Sequence, residues 1–195
     1  MDKTTTNTNP PKVFFIVSAP RSGSTMLARI CGSGSNCLCE VEPFTELVNR
    51  PDQLMLKIRQ HIESHYIEVY GQKDPEYCTL IPRLYKEFKC KFIYPVRETA
   101  KAGKSLYNWQ RYFTGGIRTT SIRDAVKLCR NYNRQIREAL TKLPPETYSM
   151  VPLNHWCVLD IIRGTLDWLG IEHDGQTVCA LFNARINSPK ERGFI

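Results

Sequence analysis

The run VFFIVSAPRSGSTMLARI, residues 13–30, restricts what this 195-residue chain can fold into more than any other stretch. Its first five residues are apolar, β-branched or aromatic, the composition of a strand buried on both faces. SAPRSGS follows, small residues with Pro20 and Gly23, so the chain must turn there. In STMLARIC, Met26, Leu27 and Ile30 recur at helical spacing. A glycine-containing turn from a buried strand into a helix leaves several backbone N–H groups aimed at one point. With the positive end of the helix dipole they form an anion site.

The remaining pattern fits that start. Strands are predicted over CLCEVE (37–42), in EVYGQKDP (68–75), over KFIYPV (91–96) and in ETYSMVPL (146–153). Helices are predicted over residues 52–67, 76–88 (with Pro82 near its start or kinking it), 98–113, 121–143 and 160–170. TGGIRTT (114–120) reads as a loop, and everything after Gly170 as irregular or short-helical. Strands alternating with helices imply an α/β architecture of three layers around a central, mainly parallel sheet. The organisation expected is a polar, disordered tail over residues 1–12 and one domain over 13–195. The tail has no apolar segment of signal-peptide type. No apolar run approaches the ~18 residues of a membrane span. Eight scattered cysteines without that signal read as reduced thiols, and Cys37-Leu38-Cys39 lacks zinc spacing. The expectation is a soluble, cytoplasmic protein. A net charge of +8 favours anionic partners: a polyphosphorylated nucleotide, an acidic glycan or peptide, or nucleic acid. No nucleic-acid module signature is present, so no specific nucleic acid is expected.

The P-loop pattern is G-x-x-x-x-G-K-[ST]. Gly23 and Thr25 fit its second half, but Ser18 stands for the first glycine and Ser24 for the lysine. A loop without that lysine is poorly suited to a γ-phosphate that lysine and Mg²⁺ must neutralise. Arg21, Ser22, Gly23, Ser24 and Thr25 instead offer hydroxyls and one guanidinium, suited to an anion of lower charge moved without a metal. Arg97 directly follows the strand 91–96, and Ser105 lies eight residues later in the next helix. Ligands of such sheets bind outside the carboxyl ends of the strands. A guanidinium fork there can grip a phosphate while a hydroxyl completes its shell.

PRSGSTML resembles the 5′-phosphosulfate loop of sulfotransferases that use 3′-phosphoadenosine 5′-phosphosulfate (PAPS), and Arg97 with Ser105 resembles their 3′-phosphate pair. The motif pattern is closest to the protein-tyrosine and carbohydrate type. The resemblance implies the P-loop-like fold, PAPS as sulfonate donor, 3′,5′-ADP (PAP) as product, no metal, and a hydroxyl or amine acceptor. Lys73 in Lys73-Asp74-Pro75 is similar to the lysine that approaches the transferring sulfonate in those enzymes, and would supply the charge the loop lacks. Glu42, 21 residues after Arg21, stands at the offset of their acceptor-side base, with Glu40 or a histidine as alternatives. Arg21 joins the catalytic candidates through the loop. Family members run longer and close over the nucleotide with a basic C-terminal loop. Here Ser188, Lys190 and Arg192 are the residues available for that.

The histidines read as structural: His61 and His65 on a solvated helix face, His155 at a helix start, His173 exposed. Trp168 and Leu169 before Gly170 read as packing. The acceptor, an anionic glycan, peptide or small molecule, would meet the aromatic and basic stretch LYNWQRYFTGGIR (106–118). The rival readings are a P-loop kinase or NTPase and a non-catalytic nucleotide- or nucleic-acid-binding protein.

Overall fold

A computed structural model describes residues 11–110 and 118–191, with side chains through Ala184. Five strands form one sheet in the order β2-β3-β1-β4-β5. They are β1 (Lys12–Ile16), β2 (Cys37–Val41), β3 (Val69–Lys73), β4 (Lys91–Val96) and β5 (Tyr148–Pro152), and every pairing is parallel. Parallel strands need long crossovers, and helices supply them: α1 (Ser24–Cys31), α2 (Pro51–Ser64), α3 (Ile81–Phe88), α4 (Thr99–Trp109), α5 (Ile122–Leu140), α6 (Val158–Leu169) and α7 (Gly175–Glu191).

Side chains of each strand alternate between two apolar layers. Phe14, Ile16, Val69 and Ile93 pack with α1, α6 and Val178 of α7; Phe15, Tyr70, Phe92 and Tyr94 pack with α2, α3 and Ile136 and Leu140 of α5. A smaller cluster joins Ala19 of the first loop to Ala102 and Leu106 of α4 and Ala125 and Cys129 of α5. The first loop is therefore wedged between the sheet and the α4–α5 pair. In the β1–β3 register Phe14 lies opposite Gly71, and its ring occupies the space a Cβ on that glycine would need.

Several elements differ from the sequence expectation, these the most. The helix expected over 76–88 is a 3₁₀ turn (Pro75–Thr79) followed by α3, because Pro82 is tolerated only in a helix's first turn. The helix 52–67 stops at Ser64, where His65 turns extended. The helix 98–113 is α4, ending at Trp109, and residues 111–113 lie outside the described set. The region after Gly170 carries a long helix, α7, whose Val178 is fully buried. Gly170 ends α6 in the left-handed conformation, and Leu169 packs behind it as expected.

Candidate active site

β1 sits in the middle of the sheet; the chain leaves it toward β2 at one edge and leaves its neighbour β4 toward β5 at the other, so the carboxyl ends of β1 and β4 open on the crevice where such sheets bind ligands. The loop there turns through left-handed backbone at Arg21 (φ 64°) and Gly23 (φ 89°). Glycine carries the second of these without steric cost. Gly23 also starts α1, and no side chain caps that helix end, which leaves N–H groups facing the crevice. Ser18 and Ser22 are buried, and neither hydroxyl finds a partner among the described residues. Buried hydroxyls normally bond to something. Two orphans in a loop of uncapped N–H groups are the complement of a small oxyanion. Ser24 is buried beside them and Thr25 faces out.

Arg97 and Ser105 converge on the same loop from β4 and α4. Arg97 Nη1 donates to the Arg21 carbonyl at 2.9 Å, and Arg21 Nε reaches Ser105 Oγ at 3.4 Å. The Arg21 guanidinium also lies 5.7 Å from the Trp109 ring. Two guanidiniums and a hydroxyl thus gather on one side of the loop, from residues 84 positions apart.

Lys73 ends β3 level with Ile16 of β1, just before the loop begins. Its side chain is only 5% exposed and its ammonium pairs with the Glu42 carboxylate. Glu42 follows β2 with φ 54°, and its N–H donates to the Lys73 carbonyl at 2.8 Å. Backbone and side chain therefore both tie the two residues together. Asp74, fully buried, holds the arrangement from behind. It accepts from Glu76 N (2.9 Å), capping the 3₁₀ turn, and from Thr45 Oγ1 (2.6 Å); Thr45 Oγ1 in turn lies 3.4 Å from the Glu42 carbonyl. Burial pushes the Asp74 carboxyl above its ordinary range, and these hydrogen bonds oppose it.

Glu40 belongs to a different network. It accepts from the Tyr70 hydroxyl at 2.8 Å and faces His61 Nε2 at 2.9 Å; Gln72 then links Tyr70 to Tyr77, whose hydroxyl donates to it at 2.8 Å. His61 is accordingly half-buried against Glu40, Phe44 and Tyr70 rather than solvated, because the edge strand supplies it a carboxylate; His65 is exposed. His173 is also drawn in, 3.0 Å from Asp167. His155 is exposed before α6, where its carbonyl accepts from Val158 N at 3.2 Å. The side chains of Ser188 and Lys190, and all of Arg192, lie outside the described residues; residues 187–191 belong to α7 rather than to a loop. Most of the stretch proposed for the acceptor rim also lies outside. The sequence alone points to no role for Ser18 as a buried free hydroxyl or for the Thr45–Asp74 bond. The one signal was Ser18 in the place of a P-loop glycine.

No known family profile and no curated protein matches the sequence. Solved structures do. The sulfotransferase domain from the curacin biosynthetic pathway superposes with a TM-score of 0.62 at 19% identity, over 84% of this chain and 75% of that one. The fold is that of the sulfotransferases. A sulfotransferase from Alicyclobacillus acidocaldarius gives 0.62 at 14% identity, over 84% of this chain and 82% of its own. A mouse sulfotransferase complexed with PAP gives 0.60 at 14%, with this chain covering 64% of its length. Among the described residues no helix is long and apolar enough to cross a membrane.

Proposed function

We propose that the chain is a PAPS-dependent sulfotransferase. In this reading residues 13–195 form one catalytic domain, and the transfer is in line, metal-independent, to a hydroxyl or amine acceptor. The observation that carries the reading is the buried Lys73 ammonium, paired with Glu42 at the end of β3 beside a phosphate loop that has no lysine of its own. Ser18, Ser22 and the α1 N–H groups suit the 5′-phosphosulfate, and Arg97 with Ser105 suits the 3′-phosphate. PAPS, when bound, supplies a sulfonate on a phosphate leaving group. Lys73 contributes a desolvated cation of the kind that stabilises charge developing on oxygen. Glu42, half exposed, is the group placed to take the acceptor proton, help typically worth ~10²–10⁴ in rate. Glu40 is held by Tyr70 and His61 and is 27% exposed against 45% for Glu42, which favours Glu42 as the carboxylate an acceptor can reach. The Lys73-Asp74-Pro75 run and Glu42 together support kinship with the protein-tyrosine and carbohydrate type. Burial pushes the Cys37 and Cys78 thiols up to about 12, which suits inert core thiols, and the reading keeps the chain in the cytoplasm.

Thermal unfolding with added nucleotide tests the reading. 3′,5′-ADP is expected to stabilise the fold by about 2.7 kcal/mol at a hundredfold excess over its Kd, and 5′-AMP at the same concentration far less. Arg97→Ala should erase the difference. Equal shifts from both nucleotides, or a larger one from ATP with Mg²⁺, would remove the basis for a PAPS site.

A further inference from the structure

The outer face of α5 carries Arg123, Lys127, Arg130, Arg134 and Arg137, all exposed and spaced four, three, four and three residues apart. At 3.6 residues per turn these fall on one stripe, opposite the buried Ala125, Cys129, Ile136 and Leu140. Its middle opens into a cleft of about 290 Å³ lined by Thr99, Arg130, Asn133, Arg134, Arg137 and Glu138. The floor is braced: buried Tyr94 donates to Asn133 Oδ1 at 2.9 Å, and Asn133 Nδ2 donates to Thr99 Oγ1 at 3.4 Å. Acidic residues do little to neutralise the stripe. Asp124 is turned to the start of α5, where it accepts from Ser121 and Thr120, and Glu138 meets Arg134 only at 3.9 Å.

We propose that this stripe and its cleft bind an anionic polysaccharide, one bearing sulfate or carboxylate groups along its length. Guanidinium forks match such oxyanions, and steps of three and four residues space the basic residues about 4.5 and 6 Å apart along the axis. Other polyanions fit less well. Among the described residues the stripe bears no aromatic side chain on which a nucleic-acid base could stack. It bears no large exposed apolar side chain to enter a bilayer or anchor a folded protein; Ile122, the exposed one on α5, lies off it. A helix offers no open strand edge, so an extended acidic peptide would leave its own backbone groups unpaired. The proposal concerns binding alone and stands whether or not the chain transfers sulfonate.

Anisotropy of a labelled heparin octasaccharide, titrated with the full chain at two salt concentrations, tests it. Arg130→Ala/Arg134→Ala, which touches no buried partner, should weaken binding at least tenfold and flatten the salt dependence, since fewer ions are exchanged. Glu138→Gln should tighten binding about two- to threefold by removing the one carboxylate in the cleft. Lys57→Ala/Lys86→Ala, which removes equal charge elsewhere, should leave it unchanged. Equal loss in both double variants would reduce the effect to net charge and overturn the proposal. So would undiminished binding by Arg130→Ala/Arg134→Ala. Tighter arginine-dependent binding of an oligothymidylate, polyglutamate or phosphatidylserine vesicles would overturn the polysaccharide assignment.

Discussion

Lys73 keeps 5% of its side chain exposed and its partner Glu42 keeps 45%, so the two halves of the pair respond differently to removal. Lys73→Met leaves behind a carboxylate that water can reach. Glu42→Ala leaves a buried ammonium without its direct partner, with only the Coulombic help of neighbouring Asp74. Urea unfolding should find Glu42→Ala the less stable variant, by an amount below the ~3–5 kcal/mol of a fully buried pair because Glu42 is half solvated. An equal loss from both would mean that Lys73 is better hydrated than its burial indicates. Turnover should separate the two residues again: Glu42→Gln is expected to cut kcat by ~10²–10⁴ while 3′,5′-ADP affinity stays within about twofold. Asp74 gives a pH signature. Its folded-state pKa is raised by burial, so the folded chain holds that proton more readily than the unfolded one. The stability this carboxyl contributes is greatest below the ordinary aspartate value and falls away as pH climbs through the raised one. Asp74→Asn should remove that slope, so the wild-type advantage over the variant is expected to shrink as pH climbs from the ordinary aspartate value through the raised one. A constant gap would assign the shift to another group.

α4 and α5 set the position of Ser105 by touching at a glycine. A Cβ on Gly103 would stand 2.7 Å from the backbone N and Cα of Val126, which no side-chain rotation relieves. Gly103→Ala must push the helices apart, an overpacking that typically costs ~1–3 kcal/mol. Because Ser105 lies two residues on, 3′,5′-ADP should also bind less tightly. A stable variant with unchanged affinity would show that the helix contact does not govern the site. Elements of this kind were legible in sequence where local signals were strong. α1 and β4 have the expected bounds, since a buried apolar run and a glycine turn are local facts. α7 is longer than the irregular or short-helical segment expected: its apolar residues crowd into 178–186, Pro189 argues against a helix beyond them, and its packing on α1 and α6 is tertiary. His61 was misjudged for a related reason, since only the folded sheet brings Glu40 beside it. Thr45 and Asp74 meet the same way, 29 positions apart in the chain and neighbours only once the sheet has formed.

At the scale of the molecule, the candidate site is an alignment problem: β1 and β3 must finish level, Ile16 beside Lys73, while β4 runs on from Ile93 to Val96, for Lys73 and Arg97 to flank the loop. The α/β order and the strand positions were readable from alternating patterns, but the strand order β2-β3-β1-β4-β5 was not, because each strand is apolar enough to occupy any central place. Register is settled partly by size. The Phe14 ring fills the space over Gly71, 2.1 Å from where a Cβ would stand. Sliding β3 by two residues would bring Val69 or Lys73 under the ring, and both have side chains in the way. Gly71→Ala is expected to lose ~1–3 kcal/mol, and Phe14→Leu added to it should recover much of that loss, although alone it removes core volume. Simple additivity of the two would mean they do not share the space. Positions 14 and 71 are then inherited as a single volume, and among descendants of this chain the glycine is free to grow only in lineages where the phenylalanine has already shrunk.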